Sequence, residues 1–435
     1  MSHGSGMQPG MGLRRLLLRV LDLRRGEGRA LVLSFICFLA LMSTNYVLRP
    51  IRDALGVESG PENYALLFTG TFTATLILYP MLGALAARTT RTRFAVAVLA
   101  TIAASLIGFR MLLVSDLPQV YIASGFFIWL SVFNVLLTSV FWSVMVDVFS
   151  NEQGRRLFGA IAAGGTVGAM VGPLATSGLV HVVGVGGMLL AGSGLLVLAL
   201  ACLLGMPRRT GAGTDAPPDP IIGGKVLAGL ASVARSRYLR TISIYILFLV
   251  STATFLYFQQ GWFVERSFAS REDRTQFFAH LDLATNILAL VVQVLITRRL
   301  IKRLGVAFVL AILPVVTALG FAVLAIVPYL AAFAVFQVMR RASDFSLAKP
   351  AREILFTVVS REDKFKAKNV VDVVVYRGGD AVFAWISIGL TTAGLGLGAL
   401  ALAVVPLCAV GAVSAVALGR MEERRRTAPP EERPT

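Results

Sequence analysis

Apolar stretches long enough to cross a membrane recur along this 435-residue chain and constrain its fold more than any other feature. A helix of roughly 20 residues spans a hydrocarbon core of about 30 Å. The chain is 56% hydrophobic and 15% charged, and its 41 glycines suit helices that pack closely in lipid. Twelve membrane-spanning helices are predicted, at 30–49, 64–86, 94–114, 119–148, 157–182, 185–206, 239–264, 276–297, 305–327, 329–359, 369–393 and 398–419. The sequence therefore predicts an all-α membrane protein.

The positive charges predict which side of the membrane each loop faces. If the N-terminus is cytoplasmic, 29 of the 41 lysines and arginines lie in the tails and inner loops, and four lie in the outer loops. Cytoplasmic loops carry such an excess of lysine and arginine, so both termini are expected in the cytoplasm. The net charge of +17 then reflects topology and attraction to anionic membrane lipid, and it predicts no nucleic-acid partner.

A linker rich in proline, glycine and basic residues separates the first six predicted spans from the last six. Such a central cytoplasmic linker is typical of transporters that are built from two helical bundles. Five regions are predicted: a basic amphipathic tail at 1–29, a six-helix bundle at 30–206, the linker at 207–238, a second six-helix bundle at 239–419 and a cytoplasmic tail at 420–435.

The N-terminal tail does not have the pattern of a signal peptide. Six arginines precede the first long apolar run, and no short apolar core with a cleavage site comes before that run. Wound as a helix, the tail gathers leucines on one side and arginines on the other, which is typical of an amphipathic helix on the inner membrane surface. A flexible basic tail is the alternative interpretation.

Residue groupings of common enzyme and metal sites are missing from the sequence. The three cysteines, Cys37, Cys202 and Cys408, fall in apolar spans, which predicts neither a disulfide framework nor a metal cluster. No G-x-x-x-x-G-K-[ST] motif and no nucleophile–base arrangement occurs. The sequence therefore predicts neither an enzyme nor a cofactor. His280 and Asp282 could form a proton site, but an interfacial pair with no transport role is the favoured interpretation.

Charged residues interrupt the tenth and eleventh predicted spans. An ionisable side chain at the bilayer centre costs at least a few kcal/mol, so it faces protein or water and usually serves transport. The tenth span carries Arg340, Arg341, Asp344, Lys349, Arg352 and Glu353, and the eleventh carries Asp372, Arg377 and Asp380. These charges either take part in gating or substrate contact, or they form a static ionic seam between the two spans.

The depth of each charge predicts its partner, because a helix rises about 1.5 Å per residue and the two spans run in opposite directions. Buried charges require partners, so we expect ion pairs at equal depth. The expected pairs are Arg340 or Arg341 with Asp380, Asp344 with Arg377, and Lys349 or Arg352 with Asp372. Pro350 is expected to break the tenth helix midway and to free backbone groups at a similar depth.

Three further patterns lie in the first half of the chain. Arg49 and Asp53 are four residues apart, which predicts a pair on the helix surface and leaves Arg52 free either for a ligand or for the outer interface. A polar stripe on span four either lines a cavity or joins helices, and it consists of Ser131, Asn134, Thr138 and Trp142. A stripe of small residues on span five predicts close approach of a neighbouring helix, and it consists of Gly164, Gly168 and Gly172.

Several of these segments resemble the ATP/ADP translocases of plastids and intracellular bacteria. The run from Tyr46 to Asp53 resembles the first-span motif of that family, with Arg52 where the family has lysine. The run 141–159 resembles the junction of its fourth and fifth spans. The runs 286–293 and 349–380 resemble shorter bacterial members of the same superfamily. The chain thus resembles a bacterial relative of this family of NTP/NDP exchange transporters.

This resemblance implies a major-facilitator-like fold with the substrate between two six-helix bundles. It also implies nucleotide exchange in which cationic side chains hold phosphates, with Arg52 in the place of the first-span lysine. The implied location is a bacterial inner (plasma) membrane, which the chain crosses several times. The expected partners are a small anionic solute, for which a nucleotide is suspected, and membrane lipid. No protein partner is predicted.

The predicted function is secondary transport of an anionic, phosphorylated or nucleotide solute by alternating access, with exchange as one mode. A lipid or amphiphile flippase, or a non-transporting membrane partner of the same fold, is the alternative. A proton-coupled carrier would titrate Asp372 or Asp380. The candidate substrate contacts are Arg49, Arg52, Asn134, Trp142, Arg341, Lys349, Arg352, Tyr376 and Arg377. The candidate gating or ion-pair residues are Asp53, Arg340, Asp344, Glu353, Asp372 and Asp380.

Overall fold

A computed structural model of the chain describes residues 23–24, 26–207, 226–359, 368 and 370–427. Every regular element in those ranges is a helix. The expected amphipathic helix of the N-terminal tail, most of the central linker and the end of the C-terminal tail lie outside the described residues.

The first half of the chain forms six helices. They are α1 (Gly28–Glu58), α2 (Tyr64–Ala87), α3 (Arg91–Leu113), α4 (Gln119–Val148) and the segment Asn151–Gly205, which comprises α5 and α6. Gly184 divides this segment because its φ of 67° lies in the left-handed region, which glycine adopts without steric cost. Ser150 begins α5 with a capping box, in which its hydroxyl accepts from the backbone N–H of Gln153 while its own N–H donates to the Gln153 side chain.

The second half repeats this pattern with more irregular helices. It begins with the short α7 (Val226–Arg235) and continues with α8 (Arg237–Ser267), followed by α9, which runs from Arg271–Val292 through a π-helical turn at Gln293–Thr297. The next segment, Arg298–Ile326, bends at Gly305. The part before Gly305 completes α9, and the part after it is α10. The remaining helices are α11 (Leu330–Ser343, a π-helical turn at Asp344–Ala348, then Lys349–Leu355), α12 (Val370–Val375 and Tyr376–Thr392) and α13 (Leu397–Thr427).

Nine segments among the described residues are long and apolar enough to cross a membrane. Two of them, Asn151–Gly205 and Arg271–Ile326, contain 55 and 56 residues, about twice the length that one crossing needs. Each of the two bends at a glycine with positive φ, Gly184 or Gly305. The charged helix α11 is not among the nine, because its apolar run ends at the arginine pair Arg340 and Arg341.

The buried apolar side chains form two large cores, one on each side of the linker. The first core is drawn from residues between 30 and 206. The second is drawn from residues between 238 and 418, together with Ala54 and Val57 near the end of α1. Each half therefore packs around its own interior, and α1 is the helix that also contributes to the interior of the other half.

The glycine stripe of α5 faces α1, as the sequence predicts. A Cβ atom on Gly164, Gly168 or Gly172 would lie only 2.5 to 2.7 Å from carbonyl oxygens of α1. No side chain fits at that distance, so the two backbones touch only because these residues are glycines.

The structure corrects the prediction that Pro350 breaks the tenth span. Proline lacks the N–H that would donate to the carbonyl of Ser346, four residues earlier. The helix stays continuous by widening into the π-helical turn at Asp344–Ala348, and it resumes α-helical geometry at Lys349. The carbonyl of Ser346 accepts a 2.9 Å hydrogen bond from the hydroxyl of Thr297, in the π-helical turn of α9. The freed backbone group therefore joins α9 to α11.

Candidate functional site

A central cavity of about 240 Å³ lies between the two halves of the chain. Helices α1, α2 and α4 line it from the first half, and α8, α11 and α12 line it from the second. Its charged lining residues are the five arginines Arg49, Arg52, Arg340, Arg341 and Arg377 and the two aspartates Asp344 and Asp380. Five arginines against two aspartates leave the lining with three positive charges in excess.

Most of the candidate residues of the sequence analysis meet at this cavity. Among the candidate substrate contacts, the lining includes Arg49, Arg52, Arg341, Tyr376 and Arg377. Among the candidate gating residues, it includes Arg340, Asp344 and Asp380. Arg49 and Asp380, which are 331 positions apart in the sequence, thus line the same cavity. Whether they bind a solute stays a prediction.

Other candidates lie elsewhere in the structure. Trp142 packs in an aromatic cluster of the first core, against the rings of Phe38, Phe141 and Phe158. Of the polar stripe on α4, the central cavity includes Ser131 but not Asn134, which is half-buried outside it. Outside the central lining, Asp53 is buried, Arg352 is half-buried, and Lys349, Glu353 and Asp372 are exposed.

The predicted pair of Arg49 and Asp53 does not form. Asp53 instead accepts two hydrogen bonds from its neighbour Arg52, at 2.6 and 3.0 Å, and the Arg52 guanidinium lies 5.2 Å from the centre of the Phe127 ring. Arg49 turns towards α9, where its Nε lies 3.8 Å from Oδ2 of Asp282. The spacing of four residues allows the predicted pair, but a carboxylate on the packed helix α9 provides a different partner for Arg49.

The predicted ion pairs between the tenth and eleventh spans are also wrong for Arg341 and Arg377, which pair with other aspartates. Arg341 donates to Oδ1 of Asp282 at 2.6 Å, and Arg377 lies 3.7 Å from Asp380 on its own helix. Arg340 donates at 3.0 and 2.9 Å to a carbonyl and a hydroxyl of α8, those of Leu249 and Thr252.

Helices α8 and α9 pack against α11 and provide the partners of Arg340 and Arg341. The depth of a charge along its own helix does not predict partners on these other helices. Glu353 also finds a partner outside the expected set, because Lys368, which precedes α12, places its Nζ 2.6 Å from the Glu353 carboxylate.

Asp282 has a central position that the sequence analysis missed, because it considered this residue only as a partner of His280. Its side chain is 2% exposed and lies between Arg341 of the same half and Arg49 of the other half. The predicted interfacial pair with His280 is therefore wrong, since the Asp282 carboxylate is buried between two arginines whereas His280 is exposed. A lone acidic residue within an apolar span was the available signal.

The two halves touch at the side where α1 ends, which we call the distal side; the proximal side is the one where α1 begins. Glu58 at the end of α1 accepts two hydrogen bonds from Arg271 at the start of α9, at 2.5 and 2.7 Å. Gln276 of α9 donates at 2.8 Å to the carbonyl of Ser177 in α5. These contacts close the distal side of the boundary between the halves.

Two tyrosines interlock beneath these polar contacts. The hydroxyl group of Tyr257 in α8 lies against Gly56 of α1, where an added Cβ would be 2.6 Å from the hydroxyl oxygen. Tyr64 of α2 lies in the same way against Gly261 of α8, and the centres of the two rings are 5.2 Å apart. Each half therefore inserts one tyrosine over a glycine of the other half.

A second cavity of about 320 Å³ lies nearer the proximal side, between α1 and α5 of one half and α9 and α11 of the other. Its lining is mostly apolar and shares Phe345 with the central cavity. Lys349, the sole Lys, Arg, Asp or Glu among its described lining residues, places Nζ 4.2 Å from the centre of the Phe345 ring.

A hydrogen-bonded network joins α1 to α5 within the first half at the proximal side. The carboxylate of Glu27 accepts hydrogen bonds from Arg156 at 2.8 Å, from Gln153 at 3.0 Å and from the backbone of Arg24 at 3.0 Å. Burial alone would raise the pKa of Glu27, but these donors favour the charged form and lower the pKa to about 2.

Comparison with known proteins agrees with this architecture. The family model described as Major Facilitator Superfamily matches residues 30–348. The solved nucleoside transporter NupG aligns with a TM-score of 0.59 and 15% identity, over 93% of this chain and 100% of that chain. A bacterial homologue of the human lysosomal transporter Spinster, in an inward-facing and unoccupied conformation, aligns with a TM-score of 0.58 and 14% identity, over 98% and 100% of the respective chains.

A POT family transporter aligns with a TM-score of 0.62 and 13% identity, over 93% of this chain and 99% of that chain. A comparison with curated protein sequences gives no significant match. Identities this low show a shared fold and leave the substrate undetermined. Because the family model covers most of the sequence, the chain belongs to the Major Facilitator Superfamily and is a multi-pass membrane transporter rather than an enzyme.

Proposed function

We propose that this protein is a secondary transporter that carries an anionic solute by alternating access. The observation that supports the proposal most strongly is the lining of the central cavity, where five arginines face two aspartates. A guanidinium group is permanently charged and binds carboxylate or phosphate through two parallel hydrogen bonds. Asp53 and Asp282 contact three of these arginines from outside the lining, so five arginines and four aspartates leave one net positive charge, which favours an anion.

The architecture we propose has twelve spans in two six-helix bundles. The nine apolar segments account for eleven crossings if the two double-length segments each cross twice, and α11 is the twelfth. With the N-terminus in the cytoplasm, as the distribution of basic residues predicts, the distal side faces outwards. The protein would then lie in the bacterial inner membrane with both termini in the cytoplasm.

The closed distal side supports alternating access. The pair of Glu58 and Arg271 and the two interlocked tyrosines join the halves on that side. A solute in the central cavity would therefore exchange with the cytoplasmic side in this conformation. Reversal requires the distal contacts to separate while the proximal ends of the halves approach each other.

A nucleotide is the first solute to test. The resemblance to the ATP/ADP translocases predicts one, and the cavity combines arginines with aromatic rings, including those of Phe68, Phe127 and Tyr376. Aromatic rings stack on planar bases, and guanidinium groups bind phosphates. Exchange of one nucleotide for another remains part of this proposal.

Exchange in proteoliposomes tests the proposal directly. Vesicles are loaded with unlabelled ATP, ADP or phosphate, and entry of labelled ATP or ADP is followed. We expect entry to depend on the internal anion and to be lost in Arg341→Ala and Arg377→Ala, since both arginines line the cavity. Arg266→Gln is the matched control, because Arg266 is exposed and lies over the Trp262 ring, away from the cavity.

Two negative results have different meanings. If folded protein moves phosphate or another anion but no nucleotide, the nucleotide assignment is wrong and the anion carrier stands. If a panel of nucleotides, sugar phosphates and carboxylates is not transported at all, the anion-carrier proposal fails.

An amphiphile transporter is the second candidate, and the second cavity favours it. That cavity is mostly apolar with the single cation Lys349, which suits an apolar tail with an anionic headgroup. Vesicles that contain a fluorescent anionic lipid in one leaflet test this function. Lipid movement that needs Lys349, with no transport of soluble anions, would favour the second candidate over the first.

A further inference from the structure

We propose that Asp282 competes with the transported anion for Arg49, so that closure of the distal side favours release of the solute. This inference rests on the proposed function, because it needs an anion in the central cavity. It assigns a role in specificity and release to a carboxylate that does not itself line the cavity.

The positions of the two arginines carry the inference. Arg341 and Asp282 belong to the same half and share a 2.6 Å hydrogen bond between a guanidinium nitrogen and Oδ1. Arg49 belongs to the other half and approaches the second oxygen, Oδ2, at 3.8 Å. Oδ2 has no hydrogen-bond donor within the described part of the chain. One carboxylate is therefore held firmly by its own half and loosely by the opposite half.

Separation of the halves breaks one of these contacts and keeps the other. When α9 moves away from α1 at the distal side, Arg341 remains beside Asp282, whereas Arg49 loses its counter-ion. A buried cation without a counter-ion is strongly unfavourable, so Arg49 then attracts an anion from the cavity. The Arg49 side chain is 23% exposed and lines the cavity, so a solute can reach it.

Closure of the distal side reverses this exchange of partners. As α9 returns to α1, Asp282 again approaches Arg49, and two anions then compete for one guanidinium group. Like charges at close range repel each other, so the solute is bound more weakly in this state. The carboxylate thus lowers the affinity of the form that is closed on the distal side, and it favours release of the solute on the proximal side.

The pair of Glu58 and Arg271 provides a matched control, because it also crosses the boundary between the halves. It contains a carboxylate and a guanidinium at the distal rim, and neither residue lines the central cavity. Removal of the charge in Asp282→Asn or in Glu58→Gln should weaken distal closure in both cases. Only Asp282→Asn should also remove the competitor for Arg49. Because Asp282→Asn frees Arg341 as well, the inference requires that the gain in affinity be lost when Arg49→Gln is added to it.

Two measurements on the full chain test the inference. Equilibrium binding of labelled ADP and labelled phosphate gives affinity, and the distance between spin labels at positions 62 and 269 gives distal opening. The three native cysteines are buried, so labels attach to the introduced ones. We expect both variants to increase the label distance. Glu58→Gln should tighten anion binding only in proportion to that opening, because Asp282 still competes in the closed form, whereas Asp282→Asn should bind the anions about tenfold more tightly than Glu58→Gln. Asp282→Glu, with a longer reach towards Arg49, should bind them several-fold more weakly.

The outcomes separate this inference from the proposed function. If wild-type protein binds an anion, but Asp282→Asn binds it no more tightly than Glu58→Gln, competition at Arg49 is disproved and anion transport stands. If neither wild type nor Asp282→Asn binds any anion of the panel of nucleotides, sugar phosphates and carboxylates, both proposals fail. If Asp282→Asn does not fold, Asp282→Glu provides the test. Weaker anion binding by Asp282→Glu than by wild type supports the inference, and unchanged or tighter binding overturns it.

Discussion

The hydroxyl group of Tyr64 in α2 lies against Gly261 in α8, across the boundary between the two halves. Tyr257 of α8 makes the reciprocal contact with Gly56 of α1. Both tyrosine hydroxyls are buried and have no hydrogen-bond partner among the residues that the structure describes. The contact therefore depends on shape more than on polar bonding. Such a contact can separate without leaving a broken hydrogen bond.

We expect Gly261→Ala to open the distal side. The added methyl group would overlap the Tyr64 ring, and such overpacking typically costs about 1 to 3 kcal/mol, which shifts the equilibrium towards separated halves. Spin-label distances across the distal side, or labelling of a cysteine placed beneath the tyrosines, would detect the shift. Gly108→Ala in α3 is the control, because an added Cβ meets no atom within 4 Å there. Equal distances in the two variants would contradict the prediction.

We expect Gly168→Ala to destabilise the first half of the chain. The new Cβ would lie 2.5 Å from the carbonyl oxygen of Leu39, so α1 and α5 would have to separate, at a cost of about 1 to 3 kcal/mol. Thermal unfolding in detergent measures the effect. Gly178→Ala on the same helix has open space around the added Cβ and should instead be neutral or stabilising by up to about 1 kcal/mol. The prediction fails if both variants unfold at the same temperature.

We expect stability to fall in acid through Glu27. The pKa of this carboxyl group is lowered from 4.5 to about 2 in the folded chain, so its stabilising contribution is complete above pH 4.5 and is lost as the pH falls towards 2. Glu27→Gln should lower stability at pH 7 by about 1 to 3 kcal/mol and should flatten this part of the pH profile.

Melting temperatures between pH 7 and pH 3 test the expectation for Glu27. Glu152→Gln is the control at the same side, since Glu152 and its partner Arg24 are 66% and 61% exposed. An exposed pair contributes at most about 1 kcal/mol, so this variant should follow the wild-type profile. An unchanged slope in Glu27→Gln would show that Glu27 is not the responsible group.

We expect Thr297→Val to destabilise the contact of α9 with α11. The carbonyl of Ser346 would lose the hydrogen bond from Thr297, and a typical intramolecular hydrogen bond contributes about 0.5 to 1.5 kcal/mol. Pro350→Ala restores an N–H four residues after Ser346, so the double variant Thr297→Val/Pro350→Ala should recover part of the loss. A double-mutant cycle from chemical or thermal unfolding measures this coupling. Strictly additive effects would argue against the account of the two π-helical turns.

The sequence by itself determined the membrane-spanning class of the protein, because hydrocarbon thickness sets a length that apolar runs must match. The glycine stripe at Gly164, Gly168 and Gly172 predicted close helix packing, since residues four apart lie on one face of a helix. The charges of the tenth and eleventh spans also indicated the centre of the molecule, because such residues are costly in lipid and gather at an interior surface. These properties depend on one helix at a time.

The partners of those charges were decided only by the tertiary structure. Arg49 pairs with Asp282 and Arg341 shares the same carboxylate because α9 packs beside α1 and α11, and no spacing along a single helix contains that information. The same reason explains why Thr297 satisfies the carbonyl freed by Pro350. Long side chains reach several helices at equal depth, so the choice of partner depends on how helices distant in sequence are arranged around the cavity.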